Sequence, residues 1–287
     1  MPIKKGAKTQ YPKPDRNDKN DLTVLAFGDI VGRVGRRALA QAMPELTKEY
    51  QPDLIVANVE NLAHGIGVTR KTLEEITALG IRCFTSGNHI WKKDEATQLL
   101  EDKSIPLLRP ANYPPGLPGR GELVLTIGAK RLVVVNLQGR VFMKDDVDDP
   151  FRAFDALWAK YENESLAGFI VDFHAEATSE KVAFGWHVDG RATAVLGTHT
   201  HVPTADAWIM PKGTAYISDL GMVGPRHSVI GVDKDIIVRR FMTQLPLKHE
   251  IPETGEAIVN GAVVTLDPST GRAISIDPIS RILTVEE

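Results

Sequence analysis

Five short apolar runs in this chain each lead into a residue able to bind a cation or move a proton. The run at 22–28 is followed by Asp29, and the run at 53–59 by Glu60-Asn61. The run at 81–86 leads into Gly87-Asn88-His89. A fourth, at 168–173, ends in His174, and a fifth, at 193–197, opens into Thr198-His199-Thr200-His201. Four of the eight histidines lie in these short segments, so the type of residue and its place in the pattern coincide.

Taken singly, each has an ordinary structural explanation. Asp29 could cap a following helix, Glu60 could be a loop carboxylate, and Asn88 could close a turn, since asparagine tolerates the left-handed conformation. His174 alone could be a satisfied loop histidine. His199 and His201 are more telling, because side chains two apart on extended backbone point the same way. The conjunction changes the reading. Seven carboxylate, amide and imidazole groups exceed what one ion needs, and without thiolates they suit two borderline or hard ions such as manganese or iron. Paired ions roughly 3.5–4 Å apart need a bridging carboxylate, and Glu60, in the middle of the set, is the natural bridge.

The elements that must position these groups alternate. Strands are expected at 22–28, 53–59, 81–86, 131–137, 168–173 and 193–197. Helices are expected at 35–50, 69–79 with Thr69 as N-cap, 92–102, near 151–161 and at 178–186, the first kinked or restarted at Pro44. β-Rich segments follow at 206–218 and 257–284, and 108–121, rich in proline and glycine, reads as an irregular loop. Such alternation predicts an α/β fold with a parallel or mixed sheet and helices on both faces. Ligands of such sheets sit beyond the carboxyl ends of the strands, which is where the chemical residues fall.

Composition sets the outer bounds. The 287 residues carry a formal net charge of −3 and are 43% hydrophobic, which suffices for a full core. The near-neutral balance argues against a general nucleic-acid binder. One cysteine, Cys83, excludes an intrachain disulfide and any metal site built on several cysteines. No apolar run is long enough for a membrane span. The first 20 residues are basic and poor in aliphatics, which predicts a solvated, poorly ordered extension rather than a secretory signal; residues 21–287 are expected to form a single domain. A cytoplasmic protein is expected, and a homo-oligomer is left open.

Longer motifs sharpen the reading. GD (28–29), ENxxHG (60–65), GNHxW (87–91), DFHAEATSEK (172–181), GTHTHVPTAD (197–206) and GTAYISDLGMVGP (213–225) resemble the bacterial YmdB family, over about residues 22–284. The resemblance implies a metallophosphoesterase-like sandwich of mixed β-sheets flanked by helices. It also implies a metal-dependent phosphodiesterase acting on 2′,3′-cyclic nucleotides, with two iron or manganese ions and a bridging hydroxide. Asp29, Glu60, Asn61 and His201 are the implied ligands of one ion; Glu60, Asn88, His174 and His199 those of the other. His89 is the implied proton donor. The Asp-x-His motif common among metallophosphoesterases reads Asp29-Ile30-Val31 here, with Asn61 as the implied substitute. The acidic residue that usually follows Asn-His is Ile90, which leaves the group orienting His89 open.

Other readings compete less well. Gly28, Gly32 and Gly35 do not have the spacing of a dinucleotide loop and are expected to let the backbone turn beside Asp29. His64, His187, His227 and His249 are expected to be surface or supporting residues, with His64 and His187 nearest the motifs. Arg109, Arg140 and Arg191 are uncommitted candidates for meeting a phosphate, and Cys83 is expected to be a small buried apolar residue. The functional alternatives are a phosphatase of phosphoproteins or phosphomonoesters, and a cyclic-nucleotide-binding regulator with little turnover.

Overall fold

A computed structural model describes residues 20–287; the extension expected over 1–20 falls, apart from Asn20, outside the described residues. The elements are, in chain order, β1 (Leu22–Ile30), α1 (Gly32–Tyr50), β2 (Leu54–Asn58), α2 (Arg70–Thr77), β3 (Cys83–Thr85), α3 (Ala96–Glu101), β4 (Glu122–Ile127), β5 (Lys130–Gln138) and α4 (Pro150–Tyr161). There follow β6 (Gly168–His174), α5 (Thr178–Val188), β7 (Ala194–Thr198), β8 (Trp208–Ile209), β9 (Ala215–Ile217), β10 (Met222–Pro225), β11 (Ser228–Val229), β12 (Val232–Asp233), α6 (Lys234–Thr243), β13 (Gly255–Asp267) and β14 (Arg272–Val285).

Two six-stranded mixed sheets dominate, in the orders β14-β13-β10-β1-β2-β3 and β4-β5-β6-β7-β9-β8. β1, β2 and β3 run parallel, as do β5, β6, β7 and β9. β1 has β13 as antiparallel partner over Leu22–Phe27 and then β10 as parallel partner at Asp29 and Ile30. That exchange of neighbours occurs at the strand end that carries Asp29.

The strands' alternation explains the layers. Val24 and Ala26 point into a core shared with Leu132, Val134, Ile170 and Leu196 of the second sheet. Leu25 and Phe27 point the other way, onto Leu39, Met43 and Leu46 of α1. In the second sheet Val133, Val135 and Phe169 face outward onto Phe154 of α4 and Phe184 of α5. Both faces of each sheet are therefore buried, and the central strands read as continuous apolar runs rather than alternating ones. The sandwich of mixed sheets flanked by helices is the one the sequence implied.

Local signals held where they had a mechanism. The Thr69 Oγ1 accepts from Thr72 N at 3.4 Å, with a reciprocal bond from Thr69 N to Thr72 Oγ1. The helix expected near 151–161 is α4, capped by Asp149 through Phe151 N, a cap the sequence reading did not single out, with Pro150 in the first turn. Other expectations need correction. α1 runs unbroken through Pro44, because Ala42, Met43 and Leu46 are packed on the sheet while Pro44 faces outward. The helix expected at 92–102 begins only at Ala96. The segment at 206–218 holds two short strands, β8 and β9, and β4, β10, β11, β12 and α6 were not anticipated.

Candidate metal centre

Five parallel strands, β1, β2 and β3 of one sheet and β6 and β7 of the other, deliver their carboxyl ends to one rim. Asp29 is the penultimate residue of β1, Glu60 and Asn61 follow β2, Asn88 and His89 follow β3, His174 ends β6, and His199 and His201 follow β7. Close approach of the strand ends depends on glycine at 87, where any Cβ would overlap the His174 ring. His199 and His201 adopt left-handed backbone, at φ 101° and 66°. Non-glycine residues rarely do so unless their surroundings enforce it. Here Asp219 enforces it: its Oδ2 accepts from Thr200 N at 3.0 Å and from the buried Lys181 Nζ at 2.8 Å.

The eight sequence-derived candidates form one connected cluster. On one side Asp29 Oδ1 lies 3.5 Å from Asn61 Nδ2 and 3.6 Å from His201 Nε2. Asp29 Oδ2 accepts from His199 N at 3.0 Å. On the other side Glu60 Oε1 lies 3.3 Å from His174 Nε2, which is 3.0 Å from Asn88 Oδ1 and 3.1 Å from His199 Nδ1. Glu60, His174 and His199 each offer one ligand atom, all within 4.8 Å of one another. His89 joins the two sides: its Nδ1 sits 2.7 Å from Asn61 Oδ1 and 3.1 Å from Glu60 Oε1, and Glu60 Oε2 accepts from its backbone N–H at 3.0 Å. Asn61 and Glu60 are thus the groups that orient His89.

Electrostatics here is dominated by carboxylates and imidazoles alone. Burial works against a charged Asp29, but the adjacent His201 and His174 outweigh it and hold its carboxyl at about 2. Glu60 is likewise opposed by burial yet held well below the usual range by His174 and His89. His174 is opposed by burial but raised to about 9, chiefly by Glu60. Burial and the neighbouring His174 push His199 down to about 3. Asp29 and Glu60 are fully buried, and among the described residues neither is paired with lysine or arginine. Buried carboxylates are costly unless paired, and here their ionisable partners are imidazoles. The donor set, free of sulfur, fits hard or borderline divalent cations.

The histidine nitrogens that face away from the cluster are also engaged. His199 Nε2 lies 3.0 Å from Glu176 Oε2, and His201 Nδ1 donates to Ile230 O at 2.8 Å. That leaves His201 Nε2 toward Asp29 and His199 Nδ1 toward His174.

The remaining histidines and arginines lie elsewhere. His187 Nε2 lies 2.8 Å from Asp155 Oδ1, His227 pairs with Glu256, His249 contacts Arg240, and His64 is exposed. Arg109 donates to the carbonyls of Pro110 and Pro118 and ties down the proline-rich loop. Arg140 pairs with Asp149, and Arg191 with Asp155. Of the three glycines near Asp29, only Gly32 has positive φ; Gly28 and Gly35 let the chain pass close to the carbonyls of Gly221 and Val223. Cys83 is buried, and burial pushes its thiol far up.

Sequence reasoning missed the polar groups beneath the rim. Asn58, Thr85, Asp172, Thr198, Lys181 and Asp219 are all buried. Asp172 carried one signal: it stands two residues before His174 on the same face of β6, in an otherwise apolar run.

A two-sheet α/β sandwich with carboxylates, amides and imidazoles at its strand ends defines a metallophosphoesterase-type protein. A sequence profile described as YmdB-like protein matches residues 25–279. A 2′,3′-cyclic-nucleotide 2′-phosphodiesterase of Bacillus subtilis is 45% identical over 259 residues, covering 90% of this chain and 96% of that protein. The crystal structure of a phosphatase from Mycoplasma pneumoniae superposes with a TM-score of 0.86 at 34% identity, covering 93% of this chain and 95% of that one. A putative 5′-nucleotidase from Staphylococcus aureus shares the fold alone, with a TM-score of 0.58 at 11% identity over 93% of this chain and 55% of that one. The chain belongs to the YmdB-like family.

Proposed function

We propose that the chain hydrolyses 2′,3′-cyclic nucleotides, breaking the bond between phosphorus and the ribose 2′-oxygen to leave a 3′-phosphate. One observation carries the reading: seven ligand-type side chains from five strand ends meet at one rim with His89 held beside them. Family membership and the name of the Bacillus subtilis relative support the choice of substrate.

Asp29, Glu60, Asn61 and His201 would hold one cation; Glu60, Asn88, His174 and His199 would hold a second, with Glu60 shared. Bound divalent ions supply Lewis acidity, lowering the pKa of water and neutralising charge that develops on the phosphoryl group. Iron or manganese is the metal this nitrogen and oxygen set suits. His89 presents a ring about 30% exposed, with Nδ1 engaged by Asn61 and Glu60. Its Nε2 delivers a proton to the departing 2′-oxygen, the role of a positioned general acid. Asn61 and Glu60 keep the ring from rotating away. We place this activity in the cytoplasm, in line with a sole cysteine that is buried and free.

The test is turnover of 2′,3′-cyclic AMP with added Mn²⁺ or Fe²⁺, with 3′-AMP as the expected product. The resemblance to a structure named as a phosphatase motivates a parallel arm with phosphoserine peptides and simple monoesters. Hydrolysis of monoesters alone would transfer the reading to a phosphatase. Tight binding of the cyclic nucleotide without product would make the chain a regulator.

A further inference from the structure

We propose that Asp172 and Thr198 are positioning residues that lock His174 in the tautomer protonated on Nδ1, so that Nε2 is free to bind a cation. The proposal deepens the metal-dependent reading and rests on it only for the use to which that nitrogen is put. Thr198 Oγ1 lies 2.6 Å from Asp172 Oδ1 and 3.0 Å from His174 Nδ1. A hydroxyl has one hydrogen, and a carboxylate only accepts. The hydrogen of Thr198 therefore goes to Asp172, and toward His174 the hydroxyl oxygen can only accept. That requires a hydrogen on Nδ1, leaving the lone pair on Nε2, which faces Glu60, Asn88 and His199.

The surrounding contacts keep the direction of this relay fixed. Asp172 Oδ2 receives Thr85 Oγ1 and Asn58 Nδ2, so three donors converge on the carboxylate. Asn58 Oδ1 accepts from Glu60 N at 3.2 Å, which turns its amide nitrogen inward as a donor to Asp172 Oδ2 at 3.3 Å; that nitrogen is farther from His174 Nδ1, at 3.5 Å, than Thr198 Oγ1 is, at 3.0 Å. Register sets the relay's geometry: Thr198 on β7 pairs directly with His174 on β6, and Lys181 Nζ holds the Thr198 carbonyl at 2.9 Å. Asp172, Thr198 and His174 are all buried, so water does not compete for these bonds.

Thr198→Val keeps the shape of the side chain and removes the hydroxyl; Thr198→Ser keeps the hydroxyl. Mn²⁺ titration of chelator-treated protein should show one ion bound about 10–100-fold more weakly in Thr198→Val, with Thr198→Ser close to the parent chain. Long-range ¹H–¹⁵N spectra of metal-free, histidine-labelled protein, recorded at a pH above 9 where the His174 ring is neutral, should place the His174 proton on Nδ1 in the parent and Thr198→Ser chains, and not uniquely there in Thr198→Val. The His174 signal is assigned by its loss in His174→Gln. Should Thr198→Val fail to fold, Asp172→Asn serves. Whichever way its amide turns, it loses one acceptor for the three donors, and the same weakening is expected. Unchanged Mn²⁺ affinity in a folded Thr198→Val or Asp172→Asn chain overturns the proposal, as does a parent spectrum with the proton on Nε2. A parent chain that takes up no Mn²⁺ defeats the metal-dependent reading instead, while the spectrum still decides the tautomer.

Discussion

The Nδ1 of His89 sits 2.7 Å from the Oδ1 of Asn61, a residue that also reaches Asp29 and His201. One side chain thus touches both the proposed proton donor and the proposed ligands of one cation. The acidic residue that usually follows Asn-His is Ile90 here, buried in the core, and Asn61 together with Glu60 occupies the orienting role. Replacing His89 with alanine should therefore remove proton delivery without removing the ligand set. Turnover is expected to fall about 10²–10⁴-fold, with metal content unchanged by elemental analysis. Full activity in a metal-replete variant would dismiss His89 as the donor.

Asp29→Ala and His201→Ala attack the other part of the cluster. Each takes away a group from the Asp29–Asn61–His201 side while leaving Glu60, His174 and His199 together. Metal analysis of the purified variants should show about one ion fewer per chain than the parent. Retention of the parent stoichiometry in either would remove that residue from the ligand set.

The metal-free chain should lose stability as the medium becomes alkaline. Burial opposes a charged His174, but Glu60, Asp29 and Asp172 prevail and raise it from 6.5 to about 9. A folded state that holds this proton more tightly than the unfolded chain is favoured below pH 6.5 and loses that advantage as pH climbs through 9. The shift corresponds to about 3 kcal/mol. Urea unfolding of chelator-treated protein at pH 6.5 and pH 9 measures it. Added Mn²⁺ should shrink the difference, since metal binding displaces the proton. Equal stability of the metal-free chain at the two pH values would refute the charged His174.

Gly87→Ala should be costly out of proportion to one methyl group. The new Cβ would overlap the ring of His174, which is wholly buried and cannot move aside. Overpacking of this kind costs about 1–3 kcal/mol, and here it should also weaken Mn²⁺ binding. Thermal denaturation with and without Mn²⁺ reads both effects; a variant matching the parent in both would show that the strand ends have slack.

Phe154→Ala offers the opposite case. Phe154 packs edge-on against Phe169 at 5.6 Å and Phe184 at 5.8 Å, beneath the outer face of the second sheet. Its removal should cost about 3–5 kcal/mol of stability, while the folded variant keeps the parent's metal stoichiometry. Denaturant unfolding and metal analysis together check this, and a selective loss of metal would tie the outer core to the rim.

Residue type and spacing along the chain determined the parts of this protein that local physics governs. Runs such as 22–28 and 168–173 announced buried strands because both faces of each sheet are covered, and the strand-end residues from Asp29 to His201 were legible because parallel strands in such folds expose their carboxyl ends together. Thr69 was legible as a cap because its hydroxyl bonds within its own turn. What only the tertiary structure decided are pairings between residues distant in sequence. β10 could not be read as a neighbour of β1, because two residue pairs hold them together across nearly two hundred positions. α6 is mostly exposed, so no strong apolar stripe marked it. Asn61 as the partner of His89 and Asp219 behind the His199–His201 turn were equally invisible, and Asp172, though marked as a polar residue in an apolar run, gave no sign of the hydroxyl that links it to His174. Each depends on the direction in which one donor hydrogen points once the strands have met, and a hydrogen bond between strands leaves no periodic trace in either.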